Sequence, residues 1–396
     1  MTGGRPRVLL LCGYDADSHR RLRSGLRAAF RAVEWIEIAL PPRHFAWRAA
    51  GNALAFAAQV PRLHYDRLLA CAPVDLASLR GLRPDLASVP TVLYLHDNEF
   101  AWPDNPREQG RLDRQFRQTL ALLAADRVCV NSRFNAVTLL DGVRRMLDGF
   151  PDQVPATTVV DIEARLDVLP VPLEDALFEA PALERMSADR TPDQTSPGRA
   201  PVTAPVFATR YPDPDPDPDP DLLELIWNHR WEWDKGPDRL PELVRSLRAA
   251  RVPFRLHVLG QRFRRQPPAF TVLEQLLPPG DPARGQIGRV EGTSDYRRLL
   301  RAGDFVLSTA LHEFQGLAVQ EAIALGCVPC VPDRLAYSEW IPAVYRATSH
   351  PRDARADAEA LVERLLALRA SATPAPDVSA LAWSTLETRW KALLEL

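Results

Sequence analysis

The chain has 396 residues, 46% apolar and 25% charged, with a formal net charge of −2. That length supports two domains of ordinary size, each with its own core, and excludes a disordered or fibrous protein. No apolar run reaches the ~18 residues that a bilayer span needs, and the stretch before the first apolar strand is too short for a secretory signal, so a cytoplasmic protein with no membrane contact is expected.

The five cysteines, Cys12, Cys71, Cys129, Cys327 and Cys330, are scattered and odd in number, which argues for reduced thiols. Cys327 and Cys330 have the spacing of a redox or zinc pair, but no second Cys or His pair stands beside them, and strand packing accounts for both. The small net charge hides an uneven distribution. Residues 1–150 carry 21 Arg against 15 acidic residues, 151–220 carry 5 basic against 14 acidic, and the remainder carries 23 against 22. Lys235 and Lys391 are the only lysines, so the basicity is arginine throughout.

In chain order, residues 8–11, 35–40, 67–70, 91–95 and 127–131 pattern as short apolar strands, with amphipathic helices near 19–31, 47–60, 106–124 and 132–148. Strand and helix alternating at this spacing predict a parallel, doubly wound sheet over residues 1–175. Ligands gather at the carboxyl ends of such strands, which singles out Gly13 to His19, His96 to Glu99, and Asn131 with Ser132. From 180 to 221 the pattern gives way to Pro, Asp, Thr and Ala, closing on five Pro-Asp pairs. Alternating proline forbids helix and ladder alike, and this predicts an extended or disordered linker. Its Asp-Pro-Asp triplets mimic a metal signature without a fold around them. Strands resume at 222–227, 254–259, 287–290, 304–308 and 328–331, predicting a second doubly wound domain over 222–378. An amphipathic helix over 379–396 carries Trp383 and Trp390 and is expected to pack back towards the first domain.

Two sequence stretches carry chemistry. In Thr309-Ala310-Leu311-His312-Glu313-Phe314-Gln315-Gly316-Leu317-Ala318-Val319-Gln320-Glu321, two glutamates eight residues apart straddle a glycine that opens a helix. Free amides at a helix start hold a diphosphate, while carboxylates accept hydrogen bonds from sugar and ribose hydroxyls. Directly after the first strand of the second domain, Arg230 and Lys235 stand five residues apart, placed to clamp the same diphosphate from the other side. Asp15-Ala16-Asp17 reads as an Asp-x-Asp, but with cations and a helix end already meeting the diphosphate no metal is expected. No P-loop or dinucleotide fingerprint is present, so kinase and dehydrogenase readings have no support.

Arg230 with Lys235, the Glu313 to Glu321 spacing and the two-domain pattern resemble the retaining family-4 glycosyltransferases. Within them the chain is most similar to the tRNA-queuosine mannosyltransferase branch, also called glycosyltransferase-like domain-containing 1 proteins. The stretches carrying this are Ser18-His19-Arg20, Arg43-His44-Phe45-Ala46-Trp47-Arg48, Leu82-Arg83-Pro84-Asp85-Leu86, Tyr94-Leu95-His96-Asp97-Asn98-Glu99, Asn131-Ser132-Arg133-Phe134-Asn135, His229-Arg230-Trp231-Glu232 and His312-Glu313-Phe314. They span the chain apart from 180–221. The resemblance implies an α/β GT-B fold, two doubly wound Rossmann-like domains facing a central cleft. It implies transfer of mannose from GDP-mannose, with retention and without a metal or other cofactor, to the cyclopentenediol of queuosine in tRNA, tRNA-Asp foremost. No obligate protein partner is implied.

Residue by residue, the resemblance gives Arg230 and Lys235 the donor diphosphate, Glu321 the ribose and Glu313 the transferred sugar, with the backbone of Gln315, Gly316 and Leu317 supporting the phosphates. His96 faces the sugar, and Gly13, Ser18 and His19 form the first acceptor loop, with Asp97 and Asn98 beside His96. His44, Trp47 and Arg48 are candidates for the acceptor wall. Arg107, Arg111, Arg114 and Arg117, on one face of the 106–124 helix, are candidates for tRNA phosphates. The chain departs from the branch on the acceptor side. Ala16-Asp17 stand where glycines are usual, and Asp97 and Glu99 replace a Glu and a Gln. The rival readings are a hexosyltransferase acting on a lipid, glycan or small acceptor, and a non-catalytic nucleotide- or RNA-binding protein.

Overall fold

The computed structural model describes residues 5–102, 111–179 and 221–396. The expected linker, but for Asp221, and Arg107 lie outside the described residues. The first sheet contains β1 (Arg7–Cys12), β2 (Glu34–Ala39), β3 (Arg67–Cys71), β4 (Thr91–Leu95), β5 (Arg127–Val130) and β6 (Leu166–Val168). Between them run α1 (Asp17–Ala29), α2 (Phe45–Gln59), α3 (Leu76–Leu82), α4 (Arg111–Ala124), α5 (Arg133–Asp148) and α6 (Thr158–Glu163). Every pairing is parallel, in the order β2-β1-β3-β4-β5-β6.

Strands covered on both faces read as unbroken apolar runs, and alternate residues feed two cores. Leu9 and Leu11 pack on one side with Leu68, Leu93 and Val130, while Val8, Leu10 and Cys12 pack on the other with Leu69, Tyr94 and Cys129. The chain's last helix completes that second face: Trp383, Leu386, Trp390 and Leu393 join Leu22 and Leu26 of α1 there. Gly25 makes this approach possible, because a Cβ at that position would sit 2.3 Å from the Trp383 ring. The helix spans Trp383–Leu394 and follows a 3-10 turn, Ser379–Leu381, so it is shorter than the sequence pattern suggests. Ala382 is held extended where it bridges Leu173.

The second sheet contains β7 (Leu223–Asn228), β8 (Phe254–Leu259), β9 (Arg284–Gly288), β10 (Phe305–Leu307), β11 (Val328–Pro332) and β12 (Arg346–Ala347). Its helices are α7 (Arg239–Ala249), α8 (Ala269–Leu276), α9 (Thr293–Arg301), α10 (Leu317–Ala324), α11 (Tyr337–Trp340), α12 (Ala354–Ala370) and α13 (Trp383–Leu394), the last lying on the first sheet. The order β12-β11-β10-β7-β8-β9 reverses direction between β7 and β10. Doubly wound sheets bind nucleotides at that switch point. Two short edge strands, β6 and β12, are missing from the sequence reading, and β9 is displaced from it. β9 covers 284–288 rather than 287–290, because Leu256 pairs with Arg284 through a register irregularity and Gly288, at φ 106°, ends the strand. The thiols of Cys327 and Cys330 face different neighbours, the carbonyls of Leu300 at 3.0 Å and Leu361 at 3.3 Å. Burial pushes both up to about 12. Among the described residues no helix is long and apolar enough to cross a membrane.

Since each sheet is parallel, its carboxyl ends share one edge, and the two edges face each other. Arg21 reaches Glu321 at 2.8 Å, Trp102 lies 3.9 Å from His312 and Phe134 5.7 Å from Phe314 between ring centroids. Both carboxylate oxygens of Glu339 accept amides at the start of α5, from Arg133 at 3.0 Å and Phe134 at 3.1 Å.

Candidate active site

The cleft is built from the loops after β7 and β10 on one wall and after β1, β2, β4 and β5 on the other. After β7 the chain turns through Asn228, whose amide donates to the Ala318 carbonyl at 2.8 Å and ties the strand to α10. Trp231 is fully buried, stacked on Phe270 at 4.0 Å, and anchors the turn that presents Arg230. Lys235 follows in a 3-10 turn closed by Gly236 at φ 60°, where a Cβ would lie 2.1 Å from the Thr309 carbonyl oxygen. The Thr309 hydroxyl donates to the Lys235 carbonyl at 2.7 Å and accepts the Trp227 indole N–H at 2.9 Å. The two loops are therefore locked together before any ligand arrives.

Lys235 is nearly buried, and its Nζ donates to the His312 carbonyl at 2.7 Å and to Glu313 Oε2 at 3.2 Å, with Asp234 Oδ2 3.3 Å away. Burial works against its charge, yet Glu313 and Asp234 hold the ammonium above its ordinary value. Burial likewise opposes ionisation of Glu313, but Lys235, His229 and the Gly316 amide bring it down to about 2. Arg230 is half-exposed in the cleft and paired with Glu232 at 2.8 Å. Both cations and the Glu313 carboxylate are thus charged at neutral pH.

The helix start is used differently from the sequence reading. Glu313 Oε1 turns back to accept the amides of Phe314 at 3.2 Å, Gln315 at 3.5 Å and Gly316 at 3.1 Å. The amides of Gln315 and Gly316 are therefore committed to Glu313, and Leu317, the first helical residue of α10, opens the set of amides that an α-helix leaves unpaired. Gly316, at φ 84°, adopts the left-handed turn that allows this. The Gln315 side chain points away from the cleft and exchanges two hydrogen bonds with the Val171 backbone, at 3.0 and 2.9 Å. Glu321 is not open either. Its Oε1 is held by Arg21 of the opposite wall.

A buried ionic cluster supports this wall. Asp357 is fully buried and accepts from Arg239 Nε at 2.7 Å, from both terminal nitrogens of Arg334 at 2.8 Å and from the His350 amide at 2.8 Å. Arg334 in turn donates to the carbonyls of Ala310 at 2.8 Å and Thr309 at 3.2 Å, fixing the loop that leads to Glu313. Sequence reasoning missed this cluster, Trp102, Arg21 and Glu339, because each acts through a partner distant in sequence, and it missed the burial of Asp234 beside Lys235, which spacing does not show.

On the opposite wall the His96 and His19 rings stack at 3.8 Å and 18°. Burial drives His19 down to about 3 and takes His96 well below its usual range, with His19 adding to the effect. Both imidazoles are neutral at pH 7. Neither ring nitrogen of His96 has a hydrogen-bond partner among the described residues, although the side chain is buried. Such atoms are costly unless a ligand meets them. Asn131 donates to the His96 carbonyl at 2.8 Å, and Asn135 donates to Asn131 at 2.9 Å and to the Leu95 carbonyl at 3.3 Å, so His96 stands on an asparagine ladder.

Gly13 packs against Pro73, where a Cβ would come within 3.1 Å, and Ser18 is half-buried on the first turn of α1. Asp97 opens into the cleft, and its crowded setting raises its pKa while His312, Arg230 and Lys235 pull the other way. Asn98 corrects the acceptor assignment. It is buried, its amide donating to Asn135 and Thr138 and its oxygen accepting the amides of Phe100 and Ala101, so it shapes the loop rather than the cleft. Arg111 donates to the carbonyls of Phe100 and Trp102, Arg114 pairs with Glu99 at 2.9 Å, and Arg117 pairs with Asp113 at 2.9 Å and Asp75 at 3.3 Å. Arg111 and Arg114 thus brace the acceptor loop and Arg117 ties α4 to the start of α3, instead of the three forming an open stripe. His44 caps α2 in the left-handed region at φ 58°, Trp47 is exposed and Arg48 lies beside it. Asp15 is paired with Arg23 at 2.7 Å and Arg20 at 3.5 Å, and the exposed Asp17 with Arg20 at 2.7 Å.

The fold compares closely with solved glycosyltransferases. Sucrose-phosphate synthase from Thermosynechococcus elongatus superposes with a TM-score of 0.66 at 15% identity, covering 99% of this chain and 98% of that one. The Anabaena HepE protein, solved with UDP and glucose, gives 0.61 at 12% identity over 98% and 99%. At those identities the likeness establishes the GT-B fold alone. Residues 7–173 match the family described as tRNA-queuosine alpha-mannosyltransferase N-terminal. A tRNA-queuosine alpha-mannosyltransferase of Drosophila melanogaster is 32% identical over 343 residues, 86% of this chain and 83% of the fly protein. Similarity of that extent, on a two-sheet scaffold with a cationic cleft wall, makes this chain a glycosyltransferase of the GT-B fold belonging to the tRNA-queuosine alpha-mannosyltransferase family.

Proposed function

We propose that the protein transfers mannose from GDP-mannose, with retention and without a metal, to a hydroxyl of the queuosine cyclopentenediol in cytoplasmic tRNA, tRNA-Asp being the isoacceptor. The observation carrying this reading is the identity with the fly enzyme over most of both chains. The site chemistry supports the donor half. As the bond from the anomeric carbon to the diphosphate oxygen breaks, negative charge grows on that oxygen, and Lys235 and Arg230 stabilise it. The acceptor oxygen bonds to the same face of the anomeric carbon, and its proton passes to the departing phosphate oxygen. No protein nucleophile is consumed. Glu313, ionised and oriented by Lys235 and three loop amides, accepts hydrogen bonds from the mannose hydroxyls. Neutral His96 supplies one donor and one acceptor to the same sugar. The amides from Leu317 onward take the diphosphate, and Glu321 takes the ribose, sharing its carboxylate with Arg21.

Purified protein incubated with GDP-mannose and queuosine-containing tRNA, with and without chelator, tests this directly. Mass spectrometry of the digested tRNA is expected to show hexosylated queuosine under both conditions. Transfer only from a UDP-hexose, only to tRNA lacking queuosine, or only with added manganese would overturn the corresponding part.

A further inference from the structure

The outer end of the acceptor wall carries a feature that the donor chemistry does not use. β2 is the edge strand of the first sheet, and the chain leaving it opens α2 with Phe45 and Trp47, which are 43% and 82% exposed. The Phe45 ring meets Tyr14 edge-on at 5.3 Å, and the Tyr14 phenol feels the charges of Arg230 and Glu232 across the cleft. An aromatic line therefore runs from the rim towards the donor wall. The segment that carries Phe45 and Trp47 is basic: residues 38–65 contain no Asp or Glu, but they contain Arg43, Arg48 and Arg62. Arg20, Arg23, Arg114 and Arg117 on the same wall are each paired with a carboxylate. Arg43 and Arg48 have no ion pair or side-chain hydrogen bond among the described residues, and Arg48 Nε is buried without a partner.

A bare indole flanked by unpaired guanidinium groups matches single-stranded nucleic acid. Every base offers a face for stacking, and every nucleotide brings a phosphate to the cations. β2 stands three strands from β4, about 14 Å at the usual strand spacing. Trp47, at the start of the helix that follows β2, thus lies on the same wall as the nucleotide whose hydroxyl reaches His96. We infer that Tyr14, Phe45 and Trp47 form a stacking rim for the unpaired RNA flanking the acceptor nucleotide, with Trp47 under a neighbouring base and Arg43 and Arg48 on the adjoining phosphates. This rests on the RNA acceptor proposed above and adds a second subsite, one that distinguishes a polynucleotide from a free nucleoside.

The probe is a synthetic, unmodified anticodon stem-loop, so the measurement does not depend on queuosine. Its affinity for the full chain is read by fluorescence anisotropy across a salt series. Trp47→Ala is expected to weaken binding by roughly five- to a hundredfold, the range for loss of one base stack, and Trp47→Phe to restore most of it. Arg43→Gln with Arg48→Gln should flatten the slope of log Kd against log salt by up to about two. Trp47 is exposed, so folding is not at stake, and Trp47→Phe controls for any local change. Unchanged RNA affinity in Trp47→Ala, or a Trp47-dependent self-association with RNA binding intact, would overturn the inference. Failure of the wild-type protein to glycosylate queuosine tRNA, with the Trp47 effect still present, would instead remove the queuosine reading and leave the RNA rim standing.

Discussion

The two walls of the cleft present different groups to it, paired charge on one and neutral rings on the other. On the donor wall the catalytic charges are met in advance: Lys235 and Glu313 bond each other, Glu313 takes the loop amides, and the Arg239, Arg334 and Asp357 cluster braces the loop from behind, although Asp234 Oδ2, His229 Nε2 and His312 Nε2 take no hydrogen bond among the described residues. On the acceptor wall both nitrogens of His96 lack a hydrogen-bond partner among the described residues, the imidazoles are neutral and Trp47 is exposed. Fixed charge suits a leaving diphosphate, whose developing charge is the same for every turnover. Unmet hydrogen-bonding atoms and an exposed ring suit a large acceptor that brings its own partners and excludes water on arrival.

The sharpest way to break this contrast is at Lys235. Lys235→Met removes a cation from a nearly buried site and leaves Glu313 and Asp234 without it. Because the loss falls on charge that grows in the transition state, kcat/KM is expected to drop by ~10²–10³ or more, with a clear fall in kcat. A change confined to KM would show that the ammonium holds the ground state alone. Next in size is the packing beneath the acceptor wall. Trp390 is fully buried among Tyr94, Trp383 and the strand residues. Trp390→Ala should cost about 3–5 kcal/mol in urea denaturation, while Asp357 and its arginines lie on the other sheet. A loss under ~1 kcal/mol would mean that α13 is not needed by the first sheet. Then comes His96→Ala, expected to lower kcat by roughly ten- to a hundredfold by leaving the sugar without its neutral partner, a loss below the usual range for a positioned acid or base. Isothermal titration with GDP should show near wild-type affinity, since the nucleotide is held by the other wall. A collapse of GDP binding would erase the distinction between the walls.

The donor wall was the more legible in sequence, for a physical reason. Arg230, Lys235, Glu313 and Glu321 lie in two short stretches at the ends of two apolar strands, so local spacing alone brings them to one edge. Strands 91–95 and 254–259 were readable to the residue, the first as a nearly unbroken apolar run and the second as an alternation of Phe254, Leu256 and Val258 with Arg255 and His257, closed by Leu259 and Gly260. What local spacing does not reveal is which atoms bond which. The fold of Glu313 back onto its own loop amides depends on Lys235 arriving from 78 residues away. Asn98 looked like a cleft residue beside His96, but Asn135 and Thr138 of α5 turn it inward. The arginines of α4 looked like a phosphate stripe from their spacing, whereas Glu99, Asp113 and Asp75 claim Arg114 and Arg117. Helical periodicity says which face a side chain takes, and nothing about whether a carboxylate from another element already waits there.

The smallest expected effect separates the walls by pH. An unfolded histidine titrates near 6.5, whereas folded His19 is driven to about 3, His96 well below its ordinary value and His229 to about 4. Folded pKa values below unfolded ones mean that the unfolded chain binds more protons between them. Their contribution is therefore complete above pH 6.5 and is lost as pH falls towards the folded values, at up to about 1.4 kcal/mol per pH unit for each histidine. The donor-wall carboxylates behave differently. Glu313 is held at about 2 and Asp234 is also lowered, so their stabilisation is intact above the unfolded carboxylate range near 4 and is lost only below it. Between pH 6.5 and 5 the histidines dominate, opposed only by carboxyls that burial raises, Asp97 and Glu232, which gain stability on protonation. Urea midpoints should fall steadily across that window, and His19→Asn should reduce the slope, separating the acceptor-wall stack from His229 behind the donor loop. Turnover per folded molecule should stay level through the same range, because His96 is already neutral. Flat midpoints from 6.5 to 5, or an activity limb centred near 6.5, would mean that the stacked pair takes up a proton in the folded state, and the neutral acceptor wall would have to be abandoned.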